Sequence, residues 1–161
     1  MPSLRVLAIF AVFLALLVAP LRAQDRTLPY WATLRYEKVN MRVGPSNEYP
    51  ITWVYVRKGL PVKVVRIREG WRLVEDHQGE QGWIAASQLD PARGAMVVGE
   101  GVVDLRAQPN PSSALRWRAE PGVVGRLGTC REGWCEVDVA GRKGWITATR
   151  LWGAESLPGD E

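Results

Sequence analysis

Arg68-Glu69-Gly70-Trp71, followed by Gly82-Trp83-Ile84-Ala85, comes back further along the chain as Arg131-Glu132-Gly133-Trp134 and Gly144-Trp145-Ile146-Thr147. The period of the repeat is 62 to 64 residues. Each Gly-Trp pair reads as a turn followed by the first residue of a strand. Glycine takes positive φ without a Cβ clash, and the Trp after it carries a large apolar area into the core that its strand faces. Two such strands close in sequence predict the centre of a small antiparallel sheet, and the repeat predicts two sheets.

The flanking segments have the same β character. Val39 and Met41 alternate with Asn40 and Arg42, and Gly44-Pro45-Ser46-Asn47 is a turn cluster. Ile51, Trp53 and Tyr55 alternate with Thr52 and Val54 as in a half-buried strand. In Val62-Lys63-Val64-Val65-Arg66-Ile67 the apolar phase slips at Val64-Val65, which predicts a bulge. The second copy keeps the order: Val103-Asp104-Leu105-Arg106 answers Val39 to Arg42, and Trp117 answers Trp53. Turn signals recur every 8–12 residues with no helical period. The prediction is an all-β chain with units at residues 33–90 and 95–152, each sized for a small barrel rather than a sandwich. Residues 153–161 are expected to form a disordered tail.

Residues 1–23 read as a secretory signal peptide: Arg5, then an uncharged apolar run from Val6 to Ala19, then Ala23 before a cut at Gln24. The run is too short for a spanning helix, so no stable membrane anchor is expected after cleavage, and the expected destination is the periplasm. Removing these residues takes away Arg5 and Arg22, leaving nineteen basic against seventeen acidic residues, a net charge of +2. Neither half holds a basic stripe, which argues against nucleic acid.

The run Val39-Asn40-Met41-Arg42-Val43-Gly44-Pro45-Ser46, with Val62-Lys63-Val64-Val65, Gly70-Trp71 and Gly82-Trp83-Ile84, resembles a bacterial SH3 domain. The tandem arrangement is similar to that of periplasmic proteins carrying two SH3-like domains after a signal peptide. The resemblance implies two tandem SH3-like barrels and recognition of peptidoglycan or peptide in the cell envelope. Gln108 stands where the first unit has Gly44, so the first loop of the second unit is expected to differ in shape.

No catalytic constellation emerges. Glu75 and Asp76 are adjacent, so on a strand they point to opposite faces. His77 is a lone histidine in a polar hairpin loop, and no phosphate-binding loop opens a helix. Cys130 and Cys135 flank a four-residue connection; export favours a disulfide over a reactive or metal-binding pair. No cofactor or metal is expected, and the protein is read as a non-enzyme. The alternative to a peptidoglycan- or peptide-binding module is an adaptor for another envelope protein.

The candidate ligand site is Asn40, Arg42, Tyr49, Trp53 and Tyr55. The four tyrosines, Tyr30, Tyr36, Tyr49 and Tyr55, all lie in or just before the first unit. The second unit has Ser113, Trp117 and Ala119 where the first has Tyr49, Trp53 and Tyr55. Trp53 and Tyr55 share one face, which serves either as core or as an exposed aromatic groove for extended peptides. Arg42 can hold a carboxylate through two parallel hydrogen bonds. Trp71, Trp83, Trp134 and Trp145 are assigned to the cores.

Overall fold

The computed structural model describes residues 26–160. The signal peptide and its cleavage site, expected within residues 1–24, lie outside the described residues. The chain is all-β and forms two seven-stranded antiparallel sheets with the same strand order.

In the first sheet the strands are β1 (Tyr30–Leu34), β2 (Val39–Arg42), β3 (Ile51–Tyr55), β4 (Pro61–Arg68), β5 (Trp71–Glu75), β6 (Gln81–Ala85) and β7 (Leu89–Asp90). They lie side by side in the order β3-β2-β6-β5-β4-β1-β7. The second sheet repeats this with β8 (Gly94–Val97), β9 (Val103–Arg106), β10 (Leu115–Ala119), β11 (Val124–Arg131), β12 (Trp134–Val139), β13 (Arg142–Thr147) and β14 (Leu151–Trp152). A single cluster in the first unit draws Leu34, Val39, Tyr55, Val64, Val74, Ile84 and Leu89 from all seven strands, so the sheet must wrap around it. Full burial of each such aliphatic side chain contributes about 1.5–3 kcal/mol. The expected bulge is present: the β4–β5 register slips between Val64 and Arg66. The first sheet begins at Tyr30, three residues ahead of the expected start.

Two features of the repeated Gly-Trp pairs differ from expectation. In the first pair of the second unit, Glu132 and Gly133 both have positive φ, 52° and 78°, as a tight hairpin turn with the twist of its strands requires. In the first unit it is Glu69 that takes the positive value, 49°. Gly82 and Gly144 are not turn residues. They sit inside β6 and β13, where a Cβ would collide with Met41 and Leu105 respectively. Glycine is needed there because the neighbouring strand's core side chain lies directly over the backbone.

The tryptophans also depart from the reading. Trp83 is buried, but Trp71, Trp134 and Trp145 are only half-buried. Strand alternation explains this: Val74, Cys135, Val137 and Ile146 take the inward positions, so Trp71, Trp134 and Trp145, each an odd number of residues away, fall on the outer face.

The units pack on each other. Met96 of β8 joins the first core, and Trp31 meets Trp152 edge-on at 4.9 Å. Trp152 Nε1 donates to Pro61 O at 3.1 Å, and Arg57 Nη1 to Gly122 O at 2.7 Å. The expected disordered tail is instead ordered as far as Asp160. Asp160 accepts the Trp31 N–H at 2.9 Å and pairs with Arg93 at 3.0 Å, and Glu155 O accepts the Trp31 indole N–H. Leu157-Pro158-Gly159-Asp160 is a closed turn, with Asp160 N–H donating to Leu157 O, and it docks on the start of β1.

Candidate functional site

β2 and β3 form a hairpin at one edge of the first sheet, and all five predicted ligand residues lie on it or in its loop. The structure does not bring them into one site. Val39 faces Tyr55, Asn40 faces Val54, and Met41 faces Trp53. Directly opposed residues share a face of the sheet, so Trp53 and Tyr55 belong to the core side while Asn40 belongs to the outer side.

Tyr55 is therefore a core residue, only 6% exposed, and not a ligand contact. Its hydroxyl donates to Asp76 Oδ2 at 2.9 Å, while Asp76 Oδ1 accepts the backbone N–H groups of Gln78 and Glu80. Burial first, then the hydrogen bond to Asp76 and the charges of Asp76 and Glu80, push the phenol well above the ordinary tyrosine range. Asp76 gains a role that sequence reading had missed: it closes the β5–β6 hairpin and satisfies a buried phenol. The signal was in the repeat, since the counterparts of Tyr55 and Asp76 are Ala119 and Val139. One unit fills this corner with a hydrogen-bonded pair, the other with apolar groups.

Arg42 is committed as well. Its Nη1 donates to Tyr49 O at 2.7 Å, and Arg106 Nη1 makes the same bond to Ser113 O at 2.8 Å in the second unit. A contact present in both units pins the loop between the hairpin strands, so it is not evidence of ligand binding. The two loops also share their backbone bonds: Ser46 N to Gly44 O and Tyr49 N to Ser46 O correspond to Asn110 N to Gln108 O and Ser113 N to Asn110 O. The expected difference in loop shape is not found. The side chains compensate instead. The Tyr49 ring lies so close over Gly44 that a Cβ would approach it to 2.6 Å, whereas Gln108 N–H donates to the Ser113 hydroxyl.

What remains exposed is the apolar edge strand itself, on both of its faces. Tyr49, Ile51, Trp53, Val54 and Val56 are 46%, 46%, 56%, 39% and 75% exposed. They follow β3, the last strand of its sheet, whose outer row of N–H and C=O groups has no neighbouring strand. The matching edge, β10, reads Leu115-Arg116-Trp117-Arg118-Ala119; its two arginines are exposed, and the Trp117 indole N–H donates to Lys143 O. On the outer side, Asn40 and Arg42 line a shallow cleft with Asn47, Trp71, Ser87 and Gln88.

Cys130 and Cys135 stand opposite each other in the β11–β12 register and form a disulfide. The paired residues at these places in the first unit are Ile67 and Arg72. His77 is exposed in its hairpin, and among the described residues no group of His, Cys, Asp and Glu converges as metal ligands.

A family model described as a bacterial SH3 domain matches residues 35–91 and again 99–153. The chain belongs to the bacterial SH3 domain family. Each sheet described above holds one match, and bacterial SH3 domains are commonly cell-wall binding modules. Similar solved structures include NlpC1 from Trichomonas vaginalis, at 12% identity and a TM-score of 0.34, covering 80% of this chain and 47% of that one. An NlpC/P60 family protein from Bacillus cereus is 12% identical with a TM-score of 0.36, covering 76% of this chain and 56% of that one. This bacterial SH3 chain thus spans about half the length of those proteins. No curated protein matches it.

Proposed function

We propose that the protein is an exported, non-catalytic binding module of the cell envelope, and that its first SH3 unit takes an extended peptide along β3. Peptide chains of peptidoglycan are the leading ligand class. The observation that carries this reading is the uncovered apolar edge of β3, set against the arginine-bearing edge of β10 in the same chain. An open edge strand invites pairing, and proteins ordinarily blunt such edges with charge. Here one edge is blunted by Arg116 and Arg118 and the other is left open. Strand addition supplies backbone hydrogen bonds, while Trp53 and Tyr49 offer large contact areas at low entropic cost. The adaptor reading uses the same edge, with a strand of another envelope protein as the occupant.

The test is co-sedimentation of the protein with purified peptidoglycan, with Trp53→Ala and Val54→Lys compared with the parent. Each should cut the pelleted fraction at least fivefold, while Arg116→Ala on the other edge should not. If both variants stay folded by circular dichroism and sediment like the parent, the β3 site is wrong. Binding of none of these forms to peptidoglycan would favour the adaptor reading. Export is checked separately by the intact mass of the periplasmic protein, expected to begin at Gln24.

A further inference from the structure

The packing of the two units leaves a cleft of about 330 Å³ whose charged lining is Arg35, Lys58, Asp90 and Arg93 from the first unit and joint, with Arg126 and Asp138 from the second. Arg93 is already engaged, by Asp160 and by the carbonyls of Gly153 and Glu155. Arg35, Lys58 and Arg126 make no ion pair among the described residues. The two acids share the lining without forming an ion pair with these cations, and four cations against two acids leave it net positive. Asp90 Oδ1 accepts the Ala92 N–H at 2.9 Å and Asp138 Oδ1 the Gly141 N–H at 2.8 Å, each within its own turn.

The repeat supplies a control. Lys63 stands opposite Glu75 in the first unit, and the pair closes to 3.2 Å. Arg126 stands opposite Asp138 at the same place in the second unit and forms no such pair. The other two cations have uncharged counterparts. By their shared backbone bonds, Arg35 corresponds to Val98, and Lys58-Gly59 to Pro121-Gly122. At these three positions the cation without an ion pair has no equivalent in the other unit. The seam itself is held by Met96, Val124 and Trp152 and has no need of these cations.

We propose that this inter-unit cleft is a binding site for an oxyanion, a carboxylate or phosphate group of a small ligand or of an extended chain, held between Lys58 and Arg35 of one unit and Arg126 of the other. An excess of positive charge in the lining of a concavity focuses its field there and concentrates counter-ions. The guanidinium groups add paired hydrogen bonds suited to carboxylate and phosphate. Such a site exists only in the tandem, because neither unit alone supplies all three cations. It is separate from the β3 edge and does not depend on the peptide reading.

The test is an amide NMR titration of the protein at constant ionic strength with two probes, N-acetyl-Glu-Glu and inorganic phosphate, and chloride as the blank. Saturable shifts are expected at Gly59, Gly94 and Gly125, and Lys58→Gln and Arg126→Gln should each weaken the affinity at least fivefold. Both side chains are exposed, so both variants should remain folded. Saturation by either probe supports the site, and the one that saturates it identifies the anionic group. Shifts no larger than those with chloride, or both variants binding like the parent, would overturn it.

Discussion

Tyr55 and Asp76 illustrate how far a single side chain departs from its sequence neighbourhood. In sequence, Tyr55 belongs with the aromatic residues of its strand. In the fold it is a buried donor whose acceptor lies 21 residues away. Its phenol is held neutral, so the folded pKa lies above the unfolded value of about 10. That contribution to stability is complete below about pH 10 and is lost as pH rises toward the folded value. Absorbance titration at the tyrosinate band should show one of the four tyrosines ionising late, together with unfolding, and Tyr55→Phe should remove that component. Asp76→Ala should cost about 2–4 kcal/mol, because it orphans a buried hydroxyl and two backbone N–H groups. A parent-like urea midpoint for Asp76→Ala would show that water replaces the carboxylate.

Among the elements, the β11–β12 hairpin and its counterpart β4–β5 form a natural comparison. Both cross the same bulged register, but only the former carries a disulfide. Closing a loop this short contributes about 2 kcal/mol on the chain-entropy view. Reduction should lower the stability of the second unit by about that amount and leave the first almost unchanged. Hydrogen exchange on reduced and oxidised protein would check this, with faster exchange expected across Val124–Val139 and unaltered protection in β4 and β5. Equal loss in both units would mean that the bridge stabilises the seam as well as its hairpin.

For the whole molecule, the tail and the joint fasten two small units to each other. A unit of this size has a marginal core of its own. Here each gains from the other through Met96, Trp31 and Trp152, and the Asp160 carboxylate ties the end of the chain to β1 and to Arg93. Asp160→Ala removes acceptors from the Trp31 and Leu157 N–H groups and leaves Arg93 without its carboxylate. It should cost about 1–3 kcal/mol and lower the thermal midpoint in calorimetry. An unchanged midpoint would show that the apolar seam suffices without the tail.

The all-β class, the two units, the bulge at Val64-Val65 and the disulfide follow from the sequence alone. They depend on local pattern, on strand alternation, and on a four-residue connection that places Cys130 opposite Cys135. The repeat added the internal comparison by which each unit calibrates the other. The tertiary structure decided which face of each strand turned inward. The phase is the same whether the tryptophans or the aliphatic residues beside them point in, so the half-burial of Trp71, Trp134 and Trp145 could not be read in advance. It also decided that Tyr55 belongs to the core while Trp53, two residues earlier on the same side, lies exposed on the edge strand. Finally, it decided the fate of the tail: a short terminal segment becomes ordered when a distant Arg93 and a backbone N–H on Trp31 stand where its carboxylate arrives, and no local pattern encodes that meeting.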